Sequence, residues 1–456
     1  MSRPVDARGV LEQVQADPHG KVKVAIVDLD GVLRGKYMHK EKFLSAAAKG
    51  FGFCNVVFGW DIGDVCYDNV RYTGWHSGYP DAHARIDLGT FRRVPWDGDV
   101  AFFLADFVDE REQPLAVCPR QTLKRVLARA EALGYRVMAG FEYEWFNFEE
   151  SPRSLADKAG ALPQPLTPGM FGYSILRASL QRPYFNAIMD QLAAFGVPLE
   201  GLHTETGPGV YEAAIGVSEG LEAADRAVLF KTGVKEIAYE HGVLASFMAK
   251  WHEKLPGSSG HIHQSLWDAG GERNLLHDPS HPAAMTPLFE SYLAGQLSLL
   301  PELLALYAPT VNSYKRLVEG LWAPTTVTWG TDNRTAAFRV LSMHPAATRL
   351  ETRVPGADAN PYLALAAAVG SGLWGVERKL TLDARAIEGN AYAAKDAPAL
   401  PRTLAEATDR LRGSEAAREL FGEAFVEHFV ASRDWEWRQF RQAVTDWERR
   451  RYFELV

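Results

Sequence analysis

The chain has 456 residues, of which 47% are apolar and 23% are charged, and its formal net charge is −8. This length predicts two domains, and this composition is sufficient for a large hydrophobic core. The acidic balance argues against nucleic acid or a membrane surface as a partner, because both attract basic proteins.

The chain opens with the elements of a small N-terminal unit. The first ~20 residues are predicted to contain a short helix. Residues 22–29 are a predicted strand, Gly31 marks a turn, and residues 32–38 return as a second strand. The two strands therefore read as a hairpin. Residues 101–107 form another apolar segment of the same unit.

Targeting signals and cysteine spacing both favour a cytoplasmic protein. The N-terminus, MSRPVDARGVLEQ, has no apolar core of a signal peptide, and no apolar stretch is long enough to span a bilayer. Cys54, Cys66 and Cys118 have neither disulfide nor metal-site spacing, which is typical of a reduced compartment.

A polar, proline-containing segment, DEREQPLAVCP, separates this unit from the rest. We place the boundary there, which gives domains over 1–113 and 114–456. Helical spacing then starts at Pro119 and ends at Gly134, and further helices are predicted over 186–196 and 222–241. Residues 151–169 are rich in proline and glycine and are predicted to form a long surface loop.

The tail from Ser414 is predicted to be helical. Its apolar face contains Trp437, Phe440, Val444 and Trp447. We expect this face to pack within the chain, with a subunit contact as the alternative.

One pattern recurs in the second half of the chain, in which two ionisable residues stand two positions apart in a strand-like segment. The pairs are Glu142 with Glu144, His203 with Glu205, His261 with His263, and Glu351 with Arg353. Alternate residues of a strand point to one face. A single pair is best explained as a solvated strand face, but four pairs indicate a common site. Such a carboxylate-rich set with some imidazole suits Mg²⁺ or Mn²⁺.

Several arginines lie close to these pairs in the sequence. They are Arg316, Arg334, Arg339, Arg349 and Arg353. Guanidinium groups bind carboxylates and phosphates through two parallel hydrogen bonds. Metal ions together with arginines indicate phosphoryl transfer, in which positioning and charge neutralisation provide most of the catalysis.

Six motifs resemble the glutamine synthetase family and follow its order over residues 140–376. They are FEYEWF, HTETGPGVYE, FMAKWHEKLPGSSGHIHQSL, NSYKRLVEGLWAP, WGTDNR and RLETRVPGADANPYL. Each motif is weak alone, but the set is specific. The resemblance implies an α+β fold with a small N-terminal β-grasp domain and a large catalytic domain with a funnel-like antiparallel sheet. It also implies stacked rings, with a dodecamer expected, in which a neighbour's N-terminal domain completes each active site.

The resemblance implies two metal sites. The ligands of the metal nearer the amine and glutamate match Glu144, Glu205 and Glu212. The ligands of the metal that bridges the ATP phosphates match Glu142, His261 and Glu351.

It also implies roles for other residues. The glutamate-holding positions match Gly257 and Arg316, and Arg353 matches the contact to the γ-carboxylate and the phosphoryl group. The phosphate contacts match Arg334 and Arg339, so the implied catalytic arginines are Arg316, Arg334, Arg339 and Arg353. The positions near the nucleotide match His203, His263 and Ser265.

The implied reaction has two steps. ATP first phosphorylates the γ-carboxylate of L-glutamate, because a free carboxylate is a poor electrophile. An amine then attacks the γ-glutamyl phosphate, which yields an amide, ADP and phosphate.

Two departures from the family concern the amine. Trp322 stands where glutamine synthetases carry a glutamate before Ala-Pro, and Phe58 is the counterpart of an aspartate that holds ammonium. Asp61 falls nearby, and Tyr173 matches a tyrosine at the ammonium site. Aromatic walls suit a small organic amine with a carbon chain or ring, so the sequence predicts a γ-glutamyl-amine ligase. The alternative for Trp322 is a loop side chain that does not touch the substrate.

Other readings stay open. Polyamines are less favoured, although Asp61, Asp64 and Asp68 offer carboxylates for a distal ammonium group. The chain is alternatively a glutamine synthetase that uses ammonia, or a non-catalytic structural or regulatory homologue.

VAIVDLDGVL also fits the opening motif of a haloacid-dehalogenase-type phosphatase, with Asp28 as nucleophile and Asp30 as acid/base. We disfavour that reading, because a strand-like basic segment follows at once and the later motifs stay unexplained.

Overall fold

The N-terminal sheet has five strands in a computed structural model that describes residues 6–158 and 160–456. The strands are β1 (Lys21–Val27), β2 (Leu33–His39), β3 (Phe51–Cys54), β4 (Asp81–Val94) and β5 (Val100–Val108). Their order is β2-β1-β5-β4-β3, with β1 and β5 parallel and the other neighbours antiparallel. Helices α1 (Ala7–Ala16) and α2 (Lys40–Lys49) pack against β4 and each other. The predicted first helix and hairpin are thus confirmed.

The larger sheet has nine strands. They are β6 (Tyr135–Phe148), β7 (Leu199–Thr204), β8 (Val210–Ile215), β9 (Ser218–Glu219), β10 (Leu244–Ser246), β11 (Gly260–Asp268), β12 (Trp329–Thr331), β13 (Phe338–Leu341) and β14 (Arg349–Thr352). The main path is β12-β13-β14-β11-β6-β8-β7, and β9 and β10 also pair with β6.

One pair in this sheet departs from the antiparallel arrangement that the resemblance implied. Strands β12 and β13 run parallel, with Trp329 opposite Phe338. Residues 332–337 carry the chain back to the start of β12 before β13 begins, so the two strands point the same way.

Helices cover the larger sheet and form the C-terminal part of the chain. They are α3 (Pro119–Ala132), α4 (Pro152–Asp157), α5 (Ile175–Leu180), α6 (Arg182–Ala194), α7 (Gly220–Glu240), α8 (Pro287–Tyr307), α9 (Ser313–Arg316), α10 (Pro361–Glu377), α11 (Leu404–Gly413), α12 (Glu415–Phe421), α13 (Glu423–Gln442) and α14 (Asp446–Tyr452). The predicted helices over 119–134, 186–196 and 222–241 are confirmed as α3, α6 and α7. Among the residues that the structure describes, none of the helices combines the length and apolar character needed to cross a bilayer.

The predicted long loop over 151–169 is wrong at its start, where α4 forms. Ser151 and Ser154 make reciprocal side-chain-to-backbone hydrogen bonds, and Pro152 occupies the first turn. This capping box compensates for the shortness of the helix.

The expected packing of the tail within the chain is also wrong for most of the predicted face. Val444 and Trp447 are 71% and 55% exposed, because α13 ends at Gln442 and Ala443 is extended. The four predicted residues therefore do not share one helix. Instead α13 buries Phe425, Phe429 and Trp435.

The turn between β1 and β2 contacts the part of the chain that carries the larger sheet. The amide of Asn360, which caps α10, donates to the backbone oxygens of Asp28 (3.2 Å) and Leu29 (3.1 Å). Gly31 has φ +80°, and a Cβ there would lie 3.0 Å from Asn360 Cα. Arg433 of α13 donates to Asp30 at 2.7 Å.

The Asp28 carboxylate stabilises the same turn. It accepts hydrogen bonds from the backbone of Asp30 and Val32 and from Arg34. Asp28 and Asp30 are thus structural residues, which removes the basis of the phosphatase reading.

Candidate active site

Strand pairing brings one carboxylate–histidine cluster together at the centre of the larger sheet. His261 lies opposite Glu142 in the β11–β6 pair, and β14 places Glu351 on the other side. The His261 Nδ1 atom is 3.3 Å from Glu142 and 3.4 Å from Glu351. One ligand atom from each of the three residues lies within 4.8 Å of the others, a spacing that can hold a metal ion. We call this group the first cluster.

A second cluster forms on the neighbouring strands. Glu212 of β8 lies opposite both Glu144 of β6 and His203 of β7. The imidazole of His203 is 3.9 Å from Glu212 and 3.9 Å from Glu205, which follows β7. The group of His203, Glu205 and Glu212 meets the same 4.8 Å criterion.

Glu144 and the carboxylates of the second cluster lack the counter-charge that would keep all of them ionised. Burial, with Glu144 and Glu142 as neighbours, raises the pKa of Glu212 to about 11. Burial also raises the pKa of Glu144 to about 7. The backbone N–H of Ser259 donates to this carboxylate at 2.7 Å and acts in the opposite direction, lowering the pKa. Facing carboxylates of this kind suit a divalent cation, which would remove their mutual repulsion.

Histidines in the first cluster are arranged as ligands. Burial lowers the pKa of His261 to about 4, so the ring is neutral, as metal ligation requires. Its Nε2 is buried and has no hydrogen-bond partner among the described residues. Burial alone would raise the pKa of Glu142, but hydrogen bonds from His261 and His263 hold it well below its usual range. The donor set therefore fits a divalent cation.

Two arginines converge on Glu351. Arg339 donates to its carboxylate at 2.9 Å and to Asp332 at 2.9 Å, and Arg353 donates to its other oxygen. Burial would raise the pKa of Glu351, but Arg353 and its neighbours lower it to about 2. Arg353 also donates to the backbone oxygen of Arg334 at 3.1 Å. Arg353 therefore connects the exposed Arg334 turn to Glu351 of the first cluster.

Arg316 and Gly257 are in direct contact. The buried guanidinium of Arg316 donates to the backbone oxygens of Val354 (2.8 Å) and Arg353 (3.3 Å). A Cβ at position 257 would lie 2.7 Å from Arg316 Cγ and 2.6 Å from Ala249 O. Only glycine therefore fits there. Burial lowers the pKa of Arg316 to about 10, which still leaves it charged at neutral pH.

The residues that were expected near a nucleotide separate into two places. His263 and Ser265 lie on β11, where His263 is 3.5 Å from Glu142 and Ser265 accepts from Trp267 at 2.9 Å. His203 instead belongs to the second cluster.

The expected amine pocket is only partly assembled within one chain. The ring of Tyr173 lies 4.5 Å from the His203 ring and is 70% exposed beside the second cluster. Trp322 is 59% exposed in a loop, with φ +62°. Asp61 accepts from Trp435 of α13 at 2.9 Å.

Phe58 does not line a pocket, so that expectation is wrong. The side chain has no exposure and packs 5.3 Å from Phe107 in the core of the N-terminal sheet. The short 3₁₀ helix Asn55–Phe58 turns the ring inward.

Sequence reasoning gave no role to two residues that contact this site. Asp332 holds Arg339, and its position within WGTDNR was a usable signal. Tyr392 donates to the backbone oxygen of Ala323 at 3.2 Å, and nothing in its sequence surroundings indicates this contact.

Known proteins resemble this chain over nearly its whole length. A family described as "Glutamine synthetase, catalytic domain" matches residues 116–452. The chain is 51% identical over 450 residues to Type-1 glutamine synthetase 2 of Dictyostelium discoideum, covering 98% of this chain and 86% of that protein. It is 39% identical over 440 residues to a glutamate–isopropylamine ligase of a Pseudomonas species, covering 95% of each. A solved structure of GmaS with ADP has a TM-score of 0.84 and 29% identity, covering 97% of this chain and 99% of that one.

Proposed function

The chain belongs to the glutamine synthetase family, and from this premise we propose that it ligates a small organic amine to the γ-carboxylate of L-glutamate. The family comprises ATP-dependent ligases that form carbon–nitrogen bonds, and this chain is such an enzyme. The proposed products are a γ-glutamylamide, ADP and phosphate.

One observation carries the choice of amine. Trp322 is an exposed aromatic in the loop where the family carries a glutamate that would favour ammonium. The loop contacts Tyr392, whose hydroxyl donates to the backbone oxygen of Ala323 at 3.2 Å. An apolar group at this position favours an amine with a carbon chain. The 39% identical relative is itself an isopropylamine ligase.

We assign the metal ligands to the two clusters. Glu142, His261 and Glu351 would hold one divalent cation. Glu205 and Glu212, with Glu144 opposite Glu212 on β6, would hold a second, and Mg²⁺ or Mn²⁺ suits this donor set. When bound, the cations would neutralise charge on the ATP phosphates and the γ-carboxylate. His203 lies 3.9 Å from the carboxylates of Glu205 and Glu212, beside this second set.

The arginines bind and orient the anionic substrates. Gly257 lets Arg316 pack closely beside the proposed glutamate site, and Arg353 would face the γ-carboxylate and the transferred phosphoryl group. Arg334 and Arg339 would contact phosphates, next to His263 and Ser265 on the nucleotide side. The charges of Arg316, Arg339 and Arg353 are fixed by hydrogen bonds before the reaction begins, so little reorganisation opposes phosphoryl transfer.

The deciding experiment measures phosphate release from ATP with Mg²⁺ and glutamate, with ammonia or a series of alkyl-, hydroxyalkyl- and arylamines. We expect one amine class to exceed ammonia by at least about 10-fold in kcat/KM, and mass detection to find the amide. Preference for ammonia in the wild type would overturn the proposal.

A substitution at Trp322 tests whether this residue sets the choice between an organic amine and ammonia. Trp322→Glu should move the ratio of amine to ammonia turnover towards ammonia by about 10-fold, because a carboxylate favours ammonium. Trp447→Glu, a change at a similarly exposed tryptophan on α14, is the matched control and should leave the ratio unchanged.

A second candidate is glutamine synthesis from ammonia. It is favoured by the 51% identity to Type-1 glutamine synthetase 2. The same assay distinguishes the two functions, because only the amine ligase discriminates against ammonia.

A further inference from the structure

A segment that no assigned role involves contacts both the turn of Arg334 and the loop of Trp322. Residues 384–400, which we call the strap, form hydrogen bonds with residues 325–329. Those residues connect the Trp322 loop to the Arg334 turn. Trp329 donates from its ring to Ala384 O (2.8 Å), and Val327 donates from its backbone to Pro398 O (2.8 Å). The backbone N–H of Leu400 donates to Thr325 O at 3.0 Å.

The middle of the strap holds the turn that carries Arg334. The amide of Asn333 donates to the backbone oxygens of Ile387 (2.9 Å) and Gly389 (2.8 Å). The backbone N–H of Ala391 donates to Thr335 Oγ1 at 2.9 Å. The strap is therefore fixed to the phosphate side of the site.

Tyr392 follows directly after this anchor. Its backbone N–H donates to the side chain of Asn390 at 3.0 Å, and the preceding Ala391 is buried. The backbone is thus held, and the partly buried ring extends towards the loop of Trp322. Its hydroxyl donates to Ala323 O at 3.2 Å.

The Trp322 loop has little support of its own. Within it, Val318 N–H donates to Arg316 O at 2.8 Å and Leu321 N–H donates to Val318 O at 3.4 Å. Gly320 and Trp322 both have positive φ, at 78° and 62°. In the part of the chain that the structure describes, residues 318–324 form a single hydrogen bond with a side chain, and its donor is the Tyr392 hydroxyl.

Burial raises the pKa of Tyr392, while the charges of Arg353 and Arg316 act in the opposite direction. The hydroxyl therefore stays protonated at neutral pH and remains a donor.

We propose that Tyr392 is a positioning residue that links the strap to the Trp322 loop, and that this link sets the amine selectivity of the site. The inference rests on the proposed function and deepens it. Because the strap also holds the Arg334 turn, one segment fixes the amine side and the phosphate side relative to each other. Tyr392 touches neither substrate; it acts through the backbone of Ala323.

Tyr392→Phe tests the link, because it removes the donor and keeps the ring. We expect the amine KM to rise about 3- to 10-fold, with a smaller change in kcat and in the glutamate KM, and the preference among amines of different size to narrow. Tyr239→Phe, at a 66% exposed tyrosine of α7, is the matched control and should behave as the wild type. A general structural defect would instead lower kcat and raise both KM values together, which would overturn the proposal.

A double-variant comparison separates this inference from the proposed function. In a Trp322→Ala background, Tyr392→Phe should add less than about 2-fold to the amine KM, because the link acts through the position of the Trp322 side chain, which this background lacks. If the wild type prefers ammonia, the proposed function itself is overturned. If the wild type prefers an amine but Trp322→Ala leaves amine selectivity unchanged, the role of the Trp322 loop is overturned and the proposed function stands. If Trp322→Ala changes selectivity and Tyr392→Phe does not, only the role of Tyr392 is overturned.

Discussion

Glu351 shows how one buried charge holds together several parts of the site. Its side chain has no exposure, and it contacts His261, Arg339 and Arg353. Removing one partner of a buried ion pair leaves the other without a counter-charge, which costs more than the pair contributed.

Glu351→Gln should therefore lower the free energy of unfolding by about 3–5 kcal/mol and reduce amide formation by at least about 100-fold. Urea unfolding and the phosphate-release assay measure the two effects. Glu419→Gln removes a carboxylate that also contacts two arginines, but at 39% exposure, and should cost less than about 1 kcal/mol. Equal costs for both variants would contradict this account of Glu351.

Gly257 offers a second test at a single position. An alanine Cβ would lie within 2.7 Å of Arg316 Cγ and must displace that side chain. Gly257→Ala should therefore raise the glutamate KM by about 10-fold or more, with a smaller effect on the KM for ATP.

Gly413→Ala is the control for this change, since nothing lies within 4 Å of a Cβ at that position at the end of α11. It should leave all kinetic constants unchanged. An unaltered glutamate KM in Gly257→Ala would remove Gly257 from the proposed glutamate site.

Helix α13 contains a group whose charge depends on pH. His428 is buried against Tyr72, with a ring distance of 6.1 Å, and burial lowers its pKa from 6.5 to about 4. The nearby charge of Arg433 acts in the same direction. Between about pH 6.5 and pH 4 the unfolded chain binds this proton and the folded chain does not, so His428 lowers stability as the pH falls through that window.

Replacing this residue should make the protein less sensitive to acid. His428→Leu should remove up to about 3 kcal/mol of the stability difference between neutral pH and about pH 4. Urea unfolding of wild type and variant at both pH values measures the difference. Parallel pH profiles would show that His428 does not titrate as its burial implies.

The elements of the large sheet were predictable to different degrees. The alternating pairs on β6 and β11 were recognisable because the side-chain period of a strand is two, so each pair had to share a face. The pairing that sets His261 opposite Glu142 was not predictable, because register depends on contacts between distant segments.

Phe58 and the C-terminal tail show two physical reasons for failure. The sequence placed Phe58 in a pocket because motif alignment does not show which way a 3₁₀ turn directs its side chains. The spacing of 437, 440, 444 and 447 suggested one helix, but the extended backbone of Ala443 divides it. Four apolar residues at helical spacing do not fix continuity, since a single residue can end the helix.

At the scale of the whole molecule, the two sheets share an apolar core, and polar contacts at the β1–β2 turn add to it. Asn360 caps α10 through the N–H of Tyr362 at 3.0 Å and also donates to the β1–β2 turn. Asn360→Ala removes the cap and both turn contacts, and should cost about 2–3 kcal/mol.

Thr403→Ala is the matched change, because Thr403 caps α11 through Glu406 N–H at 3.2 Å. It should cost about 1 kcal/mol. Thermal and urea unfolding compare the two variants. A cost for Asn360→Ala no larger than for Thr403→Ala would show that its contacts with the N-terminal turn add nothing to stability.

The strap has a consequence for how such enzymes diverge. The proposed metal ligands stand on paired strands or directly after one, whereas Trp322 stands on a loop that the strap contacts through Tyr392. Under the proposed function, substitutions in residues 317–325 and 384–400 would therefore exchange one nitrogen donor for another without disturbing those strands, provided that the contacts of the strap with the Arg334 turn are kept. Related enzymes would then acquire new amine substrates through changes in these two short segments while keeping the same phosphoryl transfer. Directed evolution of a new amine specificity should begin with the same two segments.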